Sequence, residues 1–265
     1  MSEQTAASRF FDLRDRVIIV TGGAVGIGRV YAEELIAVGA RVVIADVAAE
    51  AGQALAQRLG NASGQVLAVA TDIADEQATA RLAQATIERF GRIDGLVNNA
   101  SLMSALPRRS WLEIPVEEWD RVMAVNLRGL FLCCRAVVPH MRRQGKGKIV
   151  NISSTRAFEG SPNRLHYTTS KAGVIGFTRA VAREVGDDRI CVNCIAPGHT
   201  RSETQMASSS EAYSQSVAAT FDQQRTFKRA QVPDDLVGTL MYLLSDASDF
   251  LTGQTIVVDG GKVMN

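Results

Sequence analysis

A phenol, an ammonium and paired hydroxyls lie close together over positions 153–173, in SSTRAFEGSPNRLHYTTSKAG. Tyr167 and Lys171 are four residues apart in a stretch, TTSKAGVIGFTRAVARE, whose apolar positions Ala172, Val174, Ile175, Phe177 and Val181, with Val185 just beyond, suit a mostly buried helix. Residues i and i+4 share a helical face, so this spacing sets the ammonium beside the phenol. A neighbouring positive charge favours phenolate and lowers a phenol pKa from about 10 toward neutrality. That is how a tyrosine becomes a general base. Upstream, KGKIVNISS predicts a buried strand over 148–152 that releases Ser153 and Ser154 at its carboxyl end, where α/β proteins place their chemistry.

Positioning these groups requires a sheet, and the rest of the chain supplies one. A β-branched run over 16–20 feeds directly into TGGAVGIG. Its Gly22, Gly26 and Gly28 follow G-x-x-x-G-x-G and not the G-x-G-x-x-G dinucleotide pattern, yet missing side chains let a pyrophosphate approach the backbone at the positive end of the next helix. The strand RVVIAD follows and ends in Asp46, eighteen residues after Gly28. A carboxylate there can accept from both adenosine ribose hydroxyls and repels a 2′-phosphate, which predicts NAD over NADP. Further strands are expected over 65–70, with Asp72 and Ile73 beyond it beside adenine, and in IDGLVNNAS, ending in Asn98 and Asn99. Those two amides suit either direct cofactor contact or the satisfaction of backbone groups at a strand terminus. A long helical region over 116–143 carries Asn126 among apolar residues, and a buried amide needs partners: it is a satisfied core group or part of a proton path. After RICVNCIAPG comes a polar region, 199–232, read as a substrate lid with few apolar anchors, mobile without ligand. A helix and the strand QTIVVDGG close the chain.

Alternating strands and helices predict one α/β domain over 1–265. It is a doubly wound Rossmann fold with a central parallel sheet of about seven strands, helices on both faces and ligand at the strands' carboxyl ends. A net charge of +1, with 46% hydrophobic and 22% charged residues, points away from nucleic acid and membrane surfaces. No apolar run approaching a membrane span is evident in the sequence, so the protein is expected to be soluble and cytoplasmic. Cys191 and Cys194 form a C-x-x-C, but on a strand that spacing turns the thiols to opposite sides. Together with Cys133 and Cys134 they read as reduced core thiols, with no metal site.

With TGGAVGIG, NNA, ISS, YTTSK and IAPG in this order, nearly the whole chain resembles the short-chain dehydrogenase/reductase family. The resemblance implies a catalytic tetrad of Asn126, Ser154, Tyr167 and Lys171. Tyr167 would be the general base of alcohol oxidation and the acid of ketone reduction, and Ser154 would bind the substrate oxygen. Lys171 would hold the nicotinamide ribose, and Asn126 would hold a water that relays protons. It also implies cofactor contacts from Ile27, Val47, Ala100, Pro197, Gly198, Thr200 and Ser202, a border at Ile195, and a homotetramer. Ser101 stands where relatives have glycine after NNA, and Ser202 replaces the threonine of PG-x-x-x-T, keeping a hydroxyl.

The expected activity is NAD-dependent interconversion of a secondary alcohol and a ketone. A 3-oxoacyl-thioester reductase is the alternative, opposed by Asp46, and a non-catalytic NAD-binding scaffold is opposed by the intact tetrad. For the substrate, Arg156, Arg164 and His199 could converge with Ser154 on an acidic group. If the arginines turn outward instead, Phe158 and Leu165 leave an apolar pocket for an aromatic or alicyclic alcohol.

Overall fold

The structure, a computed structural model, describes residues 10–60, 64–207, 220 and 222–264. Seven strands form one parallel sheet in the order β3-β2-β1-β4-β5-β6-β7. They are β1 Val17–Thr21, β2 Arg41–Asp46, β3 Val66–Ala70, β4 Gly95–Asn98, β5 Gly147–Ile152, β6 Ile190–Pro197 and β7 Thr255–Val258. Every residue of β1, β5 and β6 is buried, as expected of parallel strands covered on both faces. The period of two divides their side chains. Ile18, Val20, Val42 and Ile44 join a core with Tyr31 and Leu35 of α1 (Gly26–Ala37) and Leu236, Leu240 and Leu243 of α9 (Asp234–Leu244). Ile19, Val43, Ile149 and Val192 face the other way, onto Leu82 of α3 (Glu76–Phe90) and Cys133, Val137 and Met141 of α5 (Leu130–Gln144).

The remaining helices are α2 Ala49–Arg58, α4 Val116–Met123, α6 Arg156–Glu159, α7 Leu165–Glu184 and α8 Glu203–Ala207. Between α4 and α5 the chain makes a π-helical turn, Ala124–Gly129, inside the long helix the sequence predicts. Such turns interrupt the regular ladder and are frequent at functional sites; this one carries Asn126. The sequence shows no sign of it. The continuous segment Val116–Gln144 also corrects the expectation about apolar runs. Its most apolar 18-residue window has a mean hydropathy of 1.5, long and apolar enough by length and composition to cross a membrane. Here it lies against the sheet with Leu132, Cys133, Val137 and Met141 in the core. All four thiols are buried and unbridged.

Strand order reverses between β1 and β4, which opens a crevice at their carboxyl ends.

Candidate active site

A cavity of about 620 Å³ fills that crevice, lined by the segments that leave β1 to β6. At one side, β1 delivers Gly22, Gly26 and Ile27, β2 delivers Asp46 and Val47, and the turn after β3 delivers Asp72 and Ile73. Gly22 and Gly26 hold φ of +60° and +59°, a conformation that favours glycine. Gly28 has another task. A Cβ on it would lie 2.0 Å from the Gly22 carbonyl oxygen, so its bareness lets α1 close against the turn, and it is not part of the cavity lining. The Asp46 carboxylate accepts from the backbone of Ala24 and Ala48, each at 3.0 Å. It is thereby fixed at the end of β2 while still lining the cavity.

Across the crevice, β5 ends in Ser153 and Ser154 and α7 presents Tyr167 and Lys171. The Ser154 hydroxyl hydrogen-bonds the phenol. The Lys171 ammonium lies 5.7 Å from the centroid of the Tyr167 ring and donates to the Ile152 carbonyl at 2.8 Å. Ser153 Oγ donates to the Lys171 carbonyl at 2.7 Å and Ser170 Oγ to that of Tyr167 at 2.7 Å, so both residues are tied down at their main chain. His166, fully buried, accepts the Tyr167 N–H on Nδ1 and meets Glu118 through Nε2 at 3.0 Å.

The electrostatics depart from the sequence expectation. The Tyr167 pKa lies above its ordinary value, because burial of the phenol outweighs every favourable contact. The downward pulls come from the Ser154 hydrogen bond and then from Arg156 and Arg164, with no contribution from Lys171. Burial instead pushes Lys171 itself down to about 8. Adjacency on a helix face placed the two groups side by side as predicted. What sequence spacing could not register is that desolvation penalises both charged forms.

Asn126 is a satisfied core amide. Its Oδ1 accepts from Leu102 N–H at 2.7 Å, and its Nδ2 donates to Ser170 Oγ at 3.0 Å and to the Leu102 carbonyl at 3.2 Å. It borders a second cavity of about 10 Å³, shared with Asn98, Ile152 and Lys171, which is room for about one water molecule. Asn98 lies outside the large cavity, donating to Asn151 Oδ1 at 2.9 Å in the sheet core. Its neighbour Asn99 does reach the cavity and clasps the glycine turn through the carbonyls of Thr21 and Gly22, at 3.0 and 3.1 Å. The backbone-satisfying role thus belongs to Asn99, and Asn98 is a core amide paired with another side chain.

Ala100, Pro197, Gly198, Thr200 and Ser202 all line the cavity, whereas Ile195 is buried behind it. Arg156, Arg164 and His199 line it as well, together with Arg108 and Arg121. The last two come from the loop after β4 and from α4, and no spacing in the sequence marked them. Burial, reinforced by Arg225 and Arg156, lowers His199 to about 4, so it is a neutral imidazole at ordinary pH and adds no charge. Phe158 and Leu165 are more than a third exposed and lie outside the lining, which removes the apolar pocket they were expected to form.

The predicted lid is better anchored than its composition suggests. Glu203 Oε1 accepts from Gly26 N–H at 2.9 Å, at the amino end of α1, and pairs with Arg29. Arg225, 2% exposed, pairs with Asp222 and donates to the His199 carbonyl. Residues 208–219 and 221 of the lid lie outside the described residues.

A family profile described as Enoyl-(Acyl carrier protein) reductase matches residues 22–262. The chain is 40% identical over 257 residues to a protein of Rhizobium meliloti (strain 1021) named "Probable galactose dehydrogenase GalD", covering 96% of this chain and 98% of that one. Among solved structures it superposes on levodione reductase with a TM-score of 0.88, at 33% identity, covering 94% and 98% of the two chains. It superposes on 3-ketoacyl-(acyl-carrier-protein) reductase from Brucella melitensis, complexed with NADH, with a TM-score of 0.86, at 29% identity, covering 95% and 100%.

Proposed function

Because the chain belongs to the short-chain dehydrogenase/reductase family of oxidoreductases, we propose that it is an NAD-dependent dehydrogenase interconverting a secondary alcohol and a ketone. One observation carries this reading. Ser154, Tyr167 and Lys171 meet on the wall of a single cavity whose far side is a glycine turn closed by a carboxylate at the end of β2. That far side fits a nicotinamide dinucleotide. Gly22 and Gly26 carry no side chain at the amino end of α1, where a diphosphate would take over the Gly26 N–H that Glu203 holds in this structure, and Asp46 suits a free ribose diol while opposing a 2′-phosphate.

The nicotinamide, when bound, supplies the hydride acceptor. For oxidation, Tyr167 as phenolate removes the hydroxyl proton, and Ser154 donates to the substrate oxygen as negative charge gathers there. Lys171, fixed by the Ile152 carbonyl, holds positive charge behind the ring, and the small cavity beside Asn126 offers the proton a route away from Lys171. In the reverse direction Tyr167 protonates the carbonyl oxygen. The high phenol pKa suits that direction at neutral pH.

Reduction of 3-oxoacyl thioesters is the second reading, favoured by the likeness to the 3-ketoacyl-(acyl-carrier-protein) reductase from Brucella melitensis. Asp46 does not separate the two, since the Brucella reductase is itself complexed with NADH. The distinguishing assay compares acetoacetyl thioesters with simple ketones, with NADH consumption as the readout. Efficiency at least about tenfold higher with NAD(H) than with NADP(H) supports the cofactor assignment, and equal efficiency refutes it. The exposed Phe227, Phe250 and Met264 near the carboxyl end support self-association, proposed as a homotetramer and checked by light scattering. Four buried thiols suit a reducing compartment, and we place the enzyme in the cytoplasm.

A further inference from the structure

The two sides of the cavity differ in charge. Strand order sets the glycine turn, Asp46 and Asp72 on the β1-β2-β3 side, and the reacting hydroxyls with α6 and the start of α7 on the β5 side. Around the reacting hydroxyls the lining carries four guanidinium groups, those of Arg108, Arg121, Arg156 and Arg164. Among the described residues the carboxylate lining this side is Glu159, and it forms an ion pair with Lys262. Among the described lining residues cations therefore outnumber carboxylates here, in a crevice whose low-dielectric walls strengthen the field.

Two of the four sit deepest. Arg156 opens α6 directly after Ser154 and Thr155, and Arg164 precedes α7, three residues before Tyr167. Both are half-buried, and Arg164 is braced by donating through Nη1 to the Met103 carbonyl. Both line the same cavity as Tyr167, and both act electrostatically on its hydroxyl. The same lining includes Met103, Ala105 and Val125, apolar side chains suited to a short carbon chain.

We propose that the substrate is a carboxylate: a keto acid or hydroxy acid whose reacting carbon faces Tyr167 while its carboxylate is held by Arg156 and Arg164, with Arg108 and Arg121 drawing it into the mouth. This rests on reading Ser154 and Tyr167 as the reacting centre. A guanidinium matches a carboxylate in a planar, two-bond arrangement that a neutral group cannot reproduce. Specificity of this kind is strong because a neutral analogue forgoes the charge-assisted bonds that a carboxylate makes with two guanidinium groups.

The test pairs four ketones with their methyl esters: 3-oxobutanoate, 4-oxopentanoate, 5-oxohexanoate and 4-acetylbenzoate, which place the carboxylate at graded distances from the carbonyl. Binding to the NADH-loaded protein is read from cofactor fluorescence, and turnover from NADH consumption. At least one acid should bind about tenfold tighter than its ester, with the acid-to-ester ratio falling toward one in Arg156→Ala and in Arg164→Gln and being partly kept in Arg156→Lys. In wild type, raising KCl from about 50 to about 500 mM should weaken the acid and spare the ester, which needs no variant to fold. Ratios within about twofold for all four pairs, a ratio that survives in both variants, or no binding of any acid overturns the proposal. Tight, arginine-dependent acid binding without turnover of any ketone would uphold the anion site and overturn the hydride-transfer reading. Esters turned over as well as acids would do the reverse.

Discussion

Lys148 and Lys171 are buried to the same degree, each 3% exposed, at opposite ends of one strand. Lys148 is the second residue of β5, where its ammonium meets the Asp249 carboxylate at 2.8 Å and Ser248 Oγ at 3.0 Å. It belongs to a network at the amino end of the sheet in which Lys146 also holds Asp249 and Asp246, and Arg16 pairs with Asp246. Lys171 lies at the other end of β5, bonded to the Ile152 carbonyl, and among the described residues no carboxylate is within ion-pair distance of it. Burial pushes it down to about 8. The amino end of the sheet thus uses charge to hold elements together, and the carboxyl end keeps a charge whose desolvation nothing offsets. A poorly compensated buried cation beside a cavity marks function, because stability alone would not retain it.

The largest effect expected from breaking this contrast is at Tyr167. Tyr167→Phe removes one oxygen from the carboxyl end and should lower turnover by about a thousandfold or more, leaving the circular dichroism spectrum and NADH affinity unchanged. Activity within about tenfold of wild type would remove Tyr167 from the mechanism. Lys171→Met should cost roughly a hundredfold in kcat/KM and yet stabilise the fold at pH 7. Its folded pKa of about 8 lies below the ordinary 10.5, so the burial cost is full below pH 8 and fades as pH rises to 10.5. The difference corresponds to roughly 3 kcal/mol. The Tm advantage of the variant should therefore be largest near neutrality and shrink above pH 8; a lower Tm at pH 7 would contradict the desolvation account.

Asp46→Ala should narrow the preference for NAD+ over NADP+ by about tenfold, chiefly by weakening NAD+, as read from kcat/KM for both cofactors. Lys148→Met tests the other end of the sheet. It leaves Asp249 half-exposed and still paired with Lys146, so the loss should be about 1–2 kcal/mol, seen as a Tm lower by several degrees with kcat/KM within about twofold. A large kinetic effect there would mean that the two ends are not independent.

Most of the sheet was legible because parallel strands, buried on both faces, print themselves as apolar runs: VIIVT, RVVIAD and ICVNCIAP need no tertiary information. The Tyr167–Lys171 pair was legible for the same reason, since helical spacing alone makes them neighbours. What stayed hidden depends on contacts distant in sequence. Asn98 and Asn99 are adjacent, and only the pleat decides that one turns into the core against Asn151 while the other clasps the glycine turn. Arg108 and Arg121 reach the cavity from a loop and from α4, positions to which no periodicity points. The π-helical turn at Asn126 leaves no mark in composition, and the anchoring of the lid flanks rests on single polar residues, Glu203 and Arg225, that a count of apolar residues passes over.

The smallest expected effect separates the sources of charge acting on the phenol. Burial holds the Tyr167 pKa above its ordinary value, so the phenol is protonated through the neutral range. Ketone reduction, which needs the acid form, should be level there, while alcohol oxidation, which needs phenolate, should climb only on the alkaline side. Arg156 and Arg164 both draw the phenol downward, so removing one positive charge disfavours phenolate. Arg156→Ala should therefore displace the oxidation limb to higher pH with a neutral alcohol as substrate, where loss of a carboxylate contact cannot intervene. Arg156→Lys, which keeps the charge and discards the planar fork, should leave the limb near its wild-type position while still impairing a keto acid. A limb that shifts equally in both variants would show that Arg156 acts through shape and not through its field.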